Sequence, residues 1–243
     1  MTKKRLLTLG ATIVVAAGAL ATSAFALVGG QLDNGSHPYV GAMVQQTDQG
    51  TELCSGVLVA PTVFVTAAHC IVGPGPILVS MADQFAGPQA IGFGTPDPAW
   101  TPRPGGLSHS DLNDVAVVTL TSPLPGPYAQ LPAVGYDDSL ANNQRIENVG
   151  YGVQNATTQE GAGVRQVVTE KIIPGGGATG ANFLKVSGGN TCFGDSGGPN
   201  LQAGTNIVLA VNSYGPSASC NAVSYSQRLD TPQVHDFIAG FLN

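Results

Sequence analysis

The chain has 243 residues, nine basic and fifteen acidic side chains, and a formal net charge of −6. Hydrophobic residues reach 43% and charged ones only 10%, which excludes a disordered chain, a coiled coil and long solvated helices. An acidic balance repels phosphate backbones and argues against nucleic-acid partners.

Lys3-Lys4-Arg5 opens the chain as a positive cluster, followed by an apolar stretch from Leu6 to about Ala21. Ala24-Phe25-Ala26 then offers the small-x-small pattern of an export-signal cleavage site. An uncleaved anchor is the alternative, since Leu6 to Ala26 could almost span a bilayer. The Thr, Ser and Gly content and the cleavage pattern favour removal after Ala26. Residues 1–26 are therefore expected to be a signal peptide, leaving Leu27 first in a mature chain of 217 residues. That chain keeps six basic side chains against fifteen acidic ones, net −9. No later stretch is apolar enough to cross a membrane, so a secreted protein without membrane association is expected.

Export places Cys54, Cys70, Cys192 and Cys220 in an oxidising setting, where four cysteines allow three pairings. No C-x-x-C pair exists and the histidines are scattered. No metal and no cofactor is expected.

Gly and Pro, 33 and 17 residues, punctuate the chain with turns. Residues 55–65, 115–120, 164–173 and 207–214 read as β-rich runs. Turn signals stand at Gly73 to Pro76, Pro102 to Gly106 and Gly175 to Gly177. Short strands without helical patterns between them point to an all-β barrel or sandwich architecture. Ser122-Pro123-Leu124-Pro125-Gly126-Pro127 reads as a linker between two halves. The end differs: Val234, Phe237, Ile238, Phe241 and Leu242 share one face of a helix. Thr231 stands at its N-cap and Pro232 at its first position.

Gly194-Asp195-Ser196-Gly197-Gly198-Pro199 is the most informative segment. A serine between glycines suits a nucleophile, because the turn is tight and backbone N–H groups can reach a substrate oxygen. The same residues fit the nucleophile elbow of α/β-hydrolases and an ordinary glycine-rich turn. Chain order separates these. An α/β-hydrolase needs its acid and histidine after the serine, and only His235, inside the terminal helix, follows. Upstream, Thr66-Ala67-Ala68-His69-Cys70 and Asn113-Asp114 supply a histidine and an acid in the order His69, Asp114, Ser196. His37, His109 and His235 lack such company and read as surface or packing residues.

With these residues the chain resembles the chymotrypsin/trypsin family of serine proteases. The resemblance spans residues 27–243 and includes Leu27-Val28-Gly29-Gly30, Cys54-Ser55-Gly56, Thr66 to Cys70 and Asn113-Asp114. It continues through Gly150-Tyr151-Gly152, Gly194 to Pro199, Ser213-Tyr214-Gly215 and the terminal helix. It implies two antiparallel six-stranded β-barrels, about 27–125 and 126–230, and a C-terminal α-helix at about 231–243.

The resemblance also implies the chemistry. Ser196 attacks the scissile carbonyl, His69 moves the proton, and Asp114 holds the histidine. The N–H groups of Gly194 and Ser196 form the oxyanion hole, and Ser213, Tyr214 and Gly215 line the substrate strand. It pairs Cys54 with Cys70 and Cys192 with Cys220, closing loops of about 17–29 residues worth about 3–4 kcal/mol each. The amino group freed at Leu27 pairs with Asp195, so removal of the signal itself completes activation. Cleavage after Ala24 instead would demand a second cut.

Departures bear on specificity. Asn190, six before the nucleophile, stands where trypsins carry Asp, which argues against Lys or Arg before the cut. Val223 falls where open-pocketed relatives carry a wall glycine, which favours small or medium uncharged side chains. The loop from Ile71 to Gly92 has only Asp83 as an acid, too few for a calcium cage. Asn34-Gly35-Ser36 and Asn155-Ala156-Thr157 match the glycosylation sequon, which matters only in a eukaryotic secretory pathway. Protein or peptide substrates are expected, and the protein itself is expected to be a monomer. A non-catalytic binding relative and an esterase on the same three residues are the competing functions.

Overall fold

The computed structural model describes residues 27–48, 50–101, 112–174 and 181–242. The expected signal peptide, the turns at Pro102 to Gly106 and Gly175 to Gly177, and His109 lie outside the described residues.

A short strand, β1 (Gln31–Leu32), precedes a closed antiparallel barrel. The barrel comprises β2 (Val40–Thr47), β3 (Gly50–Ala60), β4 (Val63–Thr66), β5 (Ile77–Ser80), β6 (Ala90–Pro96) and β7 (Ala116–Leu120). They close in the order β2-β3-β4-β7-β6-β5. The apolar run at 55–65 becomes two strands because the turn at Pro61-Thr62 interrupts it, and proline has no N–H for the ladder. Met43, Leu58, Phe64, Ile77, Val79 and Val118 fill this barrel.

The second half forms β8 (Arg145–Gly150), β9 (Gln166–Lys171), β10 (Phe183–Val186), β11 (Pro199–Gln202), β12 (Val208–Tyr214) and β13 (Ser224–Arg228). The sheet has seven strands in the order β1-β9-β8-β11-β12-β13-β10, one more than the six expected. The extra strand is β1, whose Gln31 and Leu32 pair with Val167 and Gln166. Gln31 and Leu32 therefore lie with the second sheet, and the strands of the first barrel begin at Val40. An isolated bridge between Ile172 and Val186 joins the end of β9 to β10 and curls the strip on itself.

The largest core lies between the two units. Val40, Val57, Val65 and Val117 of the barrel meet Tyr151, Leu201, Val211 and Leu229, with Val234 and Ile238 of the terminal helix. That helix, α1 (Pro232–Ala239), ends earlier than its apolar pattern, and Leu242 is exposed. His235 lies on it 3.9 Å from Asp236.

Arg165 stitches the units together. It is fully buried and its Nε donates to Asp33 at 2.8 Å. Its Nη1 donates to the carbonyls of Val40 and Met81, and it pairs with Asp83. His37 packs on the same acid, Nδ1 to Asp33 Oδ1 at 2.5 Å. Burial works to raise the Asp33 carboxyl, but hydrogen bonds from His37 and Arg165 hold it below its ordinary range.

Candidate active site

Both disulfides border one cleft between the two units. Cys54 joins Cys70 and Cys192 joins Cys220, with Cα–Cα distances of 6.2 and 5.2 Å. The first ties β3 to a one-turn 3₁₀ helix, Ala68–Cys70, which carries His69. Cys54, His69 and Cys70 bring their ligand atoms within 4.8 Å of one another, the composition of a metal site. The two sulfurs are bonded to each other, so neither is available as the thiolate that a metal needs.

Asp114 sits two residues before β7, after Asn113 has turned the chain at a φ of +60°. Its carboxylate is fully buried and accepts three hydrogen bonds. Oδ1 takes the His69 backbone N–H at 3.0 Å. Oδ2 takes His69 Nδ1 at 2.8 Å and the Ser213 hydroxyl at 2.5 Å. Its own N–H donates to Gln227 Oε1 at 3.3 Å, so β13 fixes the acid from behind. An acceptor-only carboxylate at Nδ1 places the proton there and leaves Nε2 as the basic nitrogen. His69, Gly194 and Ser196 all line the cleft, whose cavity volume is about 640 Å³.

The serine loop is shaped by contacts that only glycines allow. Gly194 has a φ of +94°, and a Cβ there would lie 2.9 Å from the Gly152 backbone. Gly197, at +75°, donates its N–H to the Asn212 carbonyl at 2.8 Å. The Ser55 hydroxyl donates to the Gly194 carbonyl at 2.8 Å and accepts the Tyr151 N–H at 2.9 Å. The loop is thereby pinned to β3 and β8.

These features decide the relationship. The trypsin family profile matches residues 27–238. The chain belongs to the trypsin family. It is 30% identical over 202 residues to a trypsin of Saccharopolyspora erythraea, covering 78% of this chain and 86% of that one. It is 26% identical over 240 residues to a collagenase of Hypoderma lineatum, covering 82% and 83%. A solved collagenase structure superposes with a TM-score of 0.67 at 20% identity, covering 86% of this chain and 94% of that one. Human heparin binding protein has the same fold, with a TM-score of 0.67 at 18% identity and coverage of 85% and 92%. As a trypsin-family member the chain is a serine endopeptidase, a hydrolase acting on proteins or peptides.

Ser213, Tyr214, Gly215 and Val223 line the cleft. Asn190 does not; Thr191, Asn212 and Ser224 form the polar wall in its place. The Asn190 backbone carbonyl accepts the Val28 N–H at 3.0 Å. Tyr214 stacks on Tyr225 with centroids 4.7 Å apart, closing one side of the pocket. Phe193 stands exposed at the rim.

Leu27 is fully buried. Asp195 is buried too, accepting N–H groups from Gly152 at 2.7 Å and Cys192 at 3.0 Å. Burial pushes its carboxyl up to about 7, those two N–H groups oppose the rise, and the charge of Glu170 adds to it.

Motif reading missed the polar side chains behind the cleft wall. Asn148, Glu170, Asn200 and Ser226 are buried and joined to Asn212 or to one another through hydrogen bonds. Their only signal in the sequence is a polar residue standing where the strand alternation calls for an apolar one.

Proposed function

We propose that this protein is secreted and hydrolyses peptide bonds through Ser196, His69 and Asp114. The buried Asp114–His69 pair opening on the same cleft as Ser196 carries this reading. His69 Nε2 takes the Ser196 proton as Oγ attacks the carbonyl, then returns a proton to the leaving amine. Asp114 holds the imidazole and stabilises its cation. The Gly194 and Ser196 N–H groups receive the developing oxyanion. The substrate backbone adds as a strand along Ser213 to Gly215. Two disulfides suit an oxidising compartment, and among the described residues no helix is long and apolar enough to cross a membrane.

Leu27 and Asp195 form the activation pair: an ammonium freed at Leu27 compensates the buried carboxylate, which has no other cation beside it among the described residues. The side chain of Val223 narrows the pocket, and small or medium uncharged residues are preferred before the cut. The test is a peptide library varied at that residue, hydrolysed by secreted protein beside Ser196→Ala. The variant is expected to lose on the order of 10⁶ in kcat. Equal turnover by the variant would remove Ser196 from the mechanism, and absence of turnover by both would leave a binding relative.

A further inference from the structure

The first barrel is poor in cations. Between Val40 and Leu120 stand six acids and a single Lys or Arg, Arg103, which lies outside the described residues. Asp83 is paired with Arg165 and Asp114 with His69, and Asp97 is buried. Glu52, on β3, is exposed and lines the cleft beside Thr51 and Leu53. It is the only carboxylate among the described lining residues. The residue opposite it on β2, Gln45, spends its amide on Gly73, Gly75 and Val72. Leu53, Val72 and Phe193 are the apolar residues of the same rim, so no side chain there competes for the Glu52 charge.

The end of the substrate that Glu52 meets follows from the chemistry. Residues before the cut pair along Ser213 to Gly215, and His69 returns a proton to the leaving amine. The residues after the cut therefore depart past the histidine loop, which Cys70 and Cys54 tie to β3. The Ser55 N–H donates to the Ser196 carbonyl at 2.8 Å, and a Cβ on Gly194 would lie 3.3 Å from Leu53 Cδ2. β3 thus flanks both the serine and the oxyanion donors. It pairs with β4 only from Val57 onward, while Thr51 to Cys54 pair with β2 alone. An extended peptide leaving the serine runs beside this edge. Glu52 lies two residues from Cys54 along the strand, about 7 Å, and so stands level with the second or third residue after the cut.

We propose that Glu52 is a specificity-determining residue that selects substrates with Lys or Arg at the second or third position after the cut. This rests on the endopeptidase reading of the cleft. The substrate class follows: peptides cationic on the leaving side, with an uncharged residue before the cut. Opposite charges in an exposed setting gain little, about 1.5-fold to fivefold in affinity, and the gain is screened by salt. An acid at the same substrate position meets the Glu52 carboxylate as a like charge and is disfavoured.

The experiment measures kcat/KM for peptides identical before the cut and carrying Lys, Gln or Glu at the second or the third position after it. Ratios are taken within each protein, so a loss of folded enzyme cancels. At about 0.01 M salt, where the Debye length is about 30 Å, the wild-type Lys/Gln ratio at one of these positions is expected to be about 1.5 to 5. It should fall toward one at about 1 M, where that length is about 3 Å. Glu52→Gln should give a ratio of about one at both salt concentrations, and Glu52→Lys should favour the Glu peptide. Asp48, exposed on the same hairpin and absent from the cleft lining, is the control: Asp48→Asn should keep the wild-type ratio. A wild-type ratio of one at both positions, a ratio that survives Glu52→Gln, or an equal loss in Asp48→Asn would overturn the proposal. A wild-type protein that hydrolyses none of the peptides would instead overturn the endopeptidase reading on which it stands.

Discussion

The pairing of Leu27 with Asp195 can be weighed by titration. Consider two proteins on a Ser196→Ala background, which prevents self-cleavage: one beginning at Leu27, the other at Ala26. In the longer form no ammonium is available at Leu27, and burial holds the Asp195 carboxyl at about 7 against 3.8 unfolded. The folded state then binds the proton more tightly than the unfolded one. Stability is fully present below about pH 4 and is lost as pH rises through 7. Three pH units at 1.36 kcal/mol each amount to about 4 kcal/mol. In the form beginning at Leu27 the ammonium favours the carboxylate, and that loss is offset until the amine deprotonates in alkali. Glu170, raised to about 7 from 4.5, adds a slope of the same sign to both forms, so the Asp195→Asn control is needed to assign the difference. With that control the difference between the forms isolates Asp195. Unfolding free energies from denaturant titration at pH 5, 6, 7 and 8 are expected to diverge, reaching about 4 kcal/mol in favour of the form beginning at Leu27. Asp195→Asn should abolish the divergence. Parallel curves for the two forms, or a divergence that survives Asp195→Asn, would refute the reasoning.

Two further outcomes follow from the structure. Arg165→Ala leaves Asp33 buried beside one histidine and removes the Arg165 donor from Met81 and Tyr151, while the Val40 carbonyl keeps the Tyr151 hydroxyl. It is expected to lower stability by about 3–5 kcal/mol, read from chemical denaturation at neutral pH. Val223→Gly removes a branched side chain from the pocket, and hydrolysis of peptides with Phe or Tyr before the cut should increase relative to Ala. Unchanged selectivity would take Val223 out of the pocket wall.

The candidate site was legible because its residues are local words in the chain. Ala-Ala-His-Cys, Asn-Asp before an apolar strand, and Gly-Asp-Ser-Gly-Gly each need a particular turn, so their types and order survive without coordinates. The strongest strands and the terminal helix were legible through periodicity. Several strands were not. β10 and β11 have four residues each, and β13 reads Ser-Tyr-Ser-Gln-Arg, with more polar than apolar positions. They are strands because neighbours pair with them. The same reason hid the seventh strand, since Gln31 and Leu32 acquire their partners from residues more than a hundred positions away.

By itself the sequence determined an all-β chain, the order of His69, Asp114 and Ser196 along it, four cysteines suited to an oxidising compartment, and an acidic net charge. These depend on composition, short motifs and spacing, which need no long-range contact. Tertiary structure alone decided that Thr191, Asn212 and Ser224 stand at the cleft wall and that Asn190 does not. It alone gathered Asn148, Glu170, Asn200 and Asn212 from three strands and the body of a fourth into one buried polar lattice. Buried polar groups must find partners, and those partners are chosen by strand register, which no segment of the chain specifies on its own.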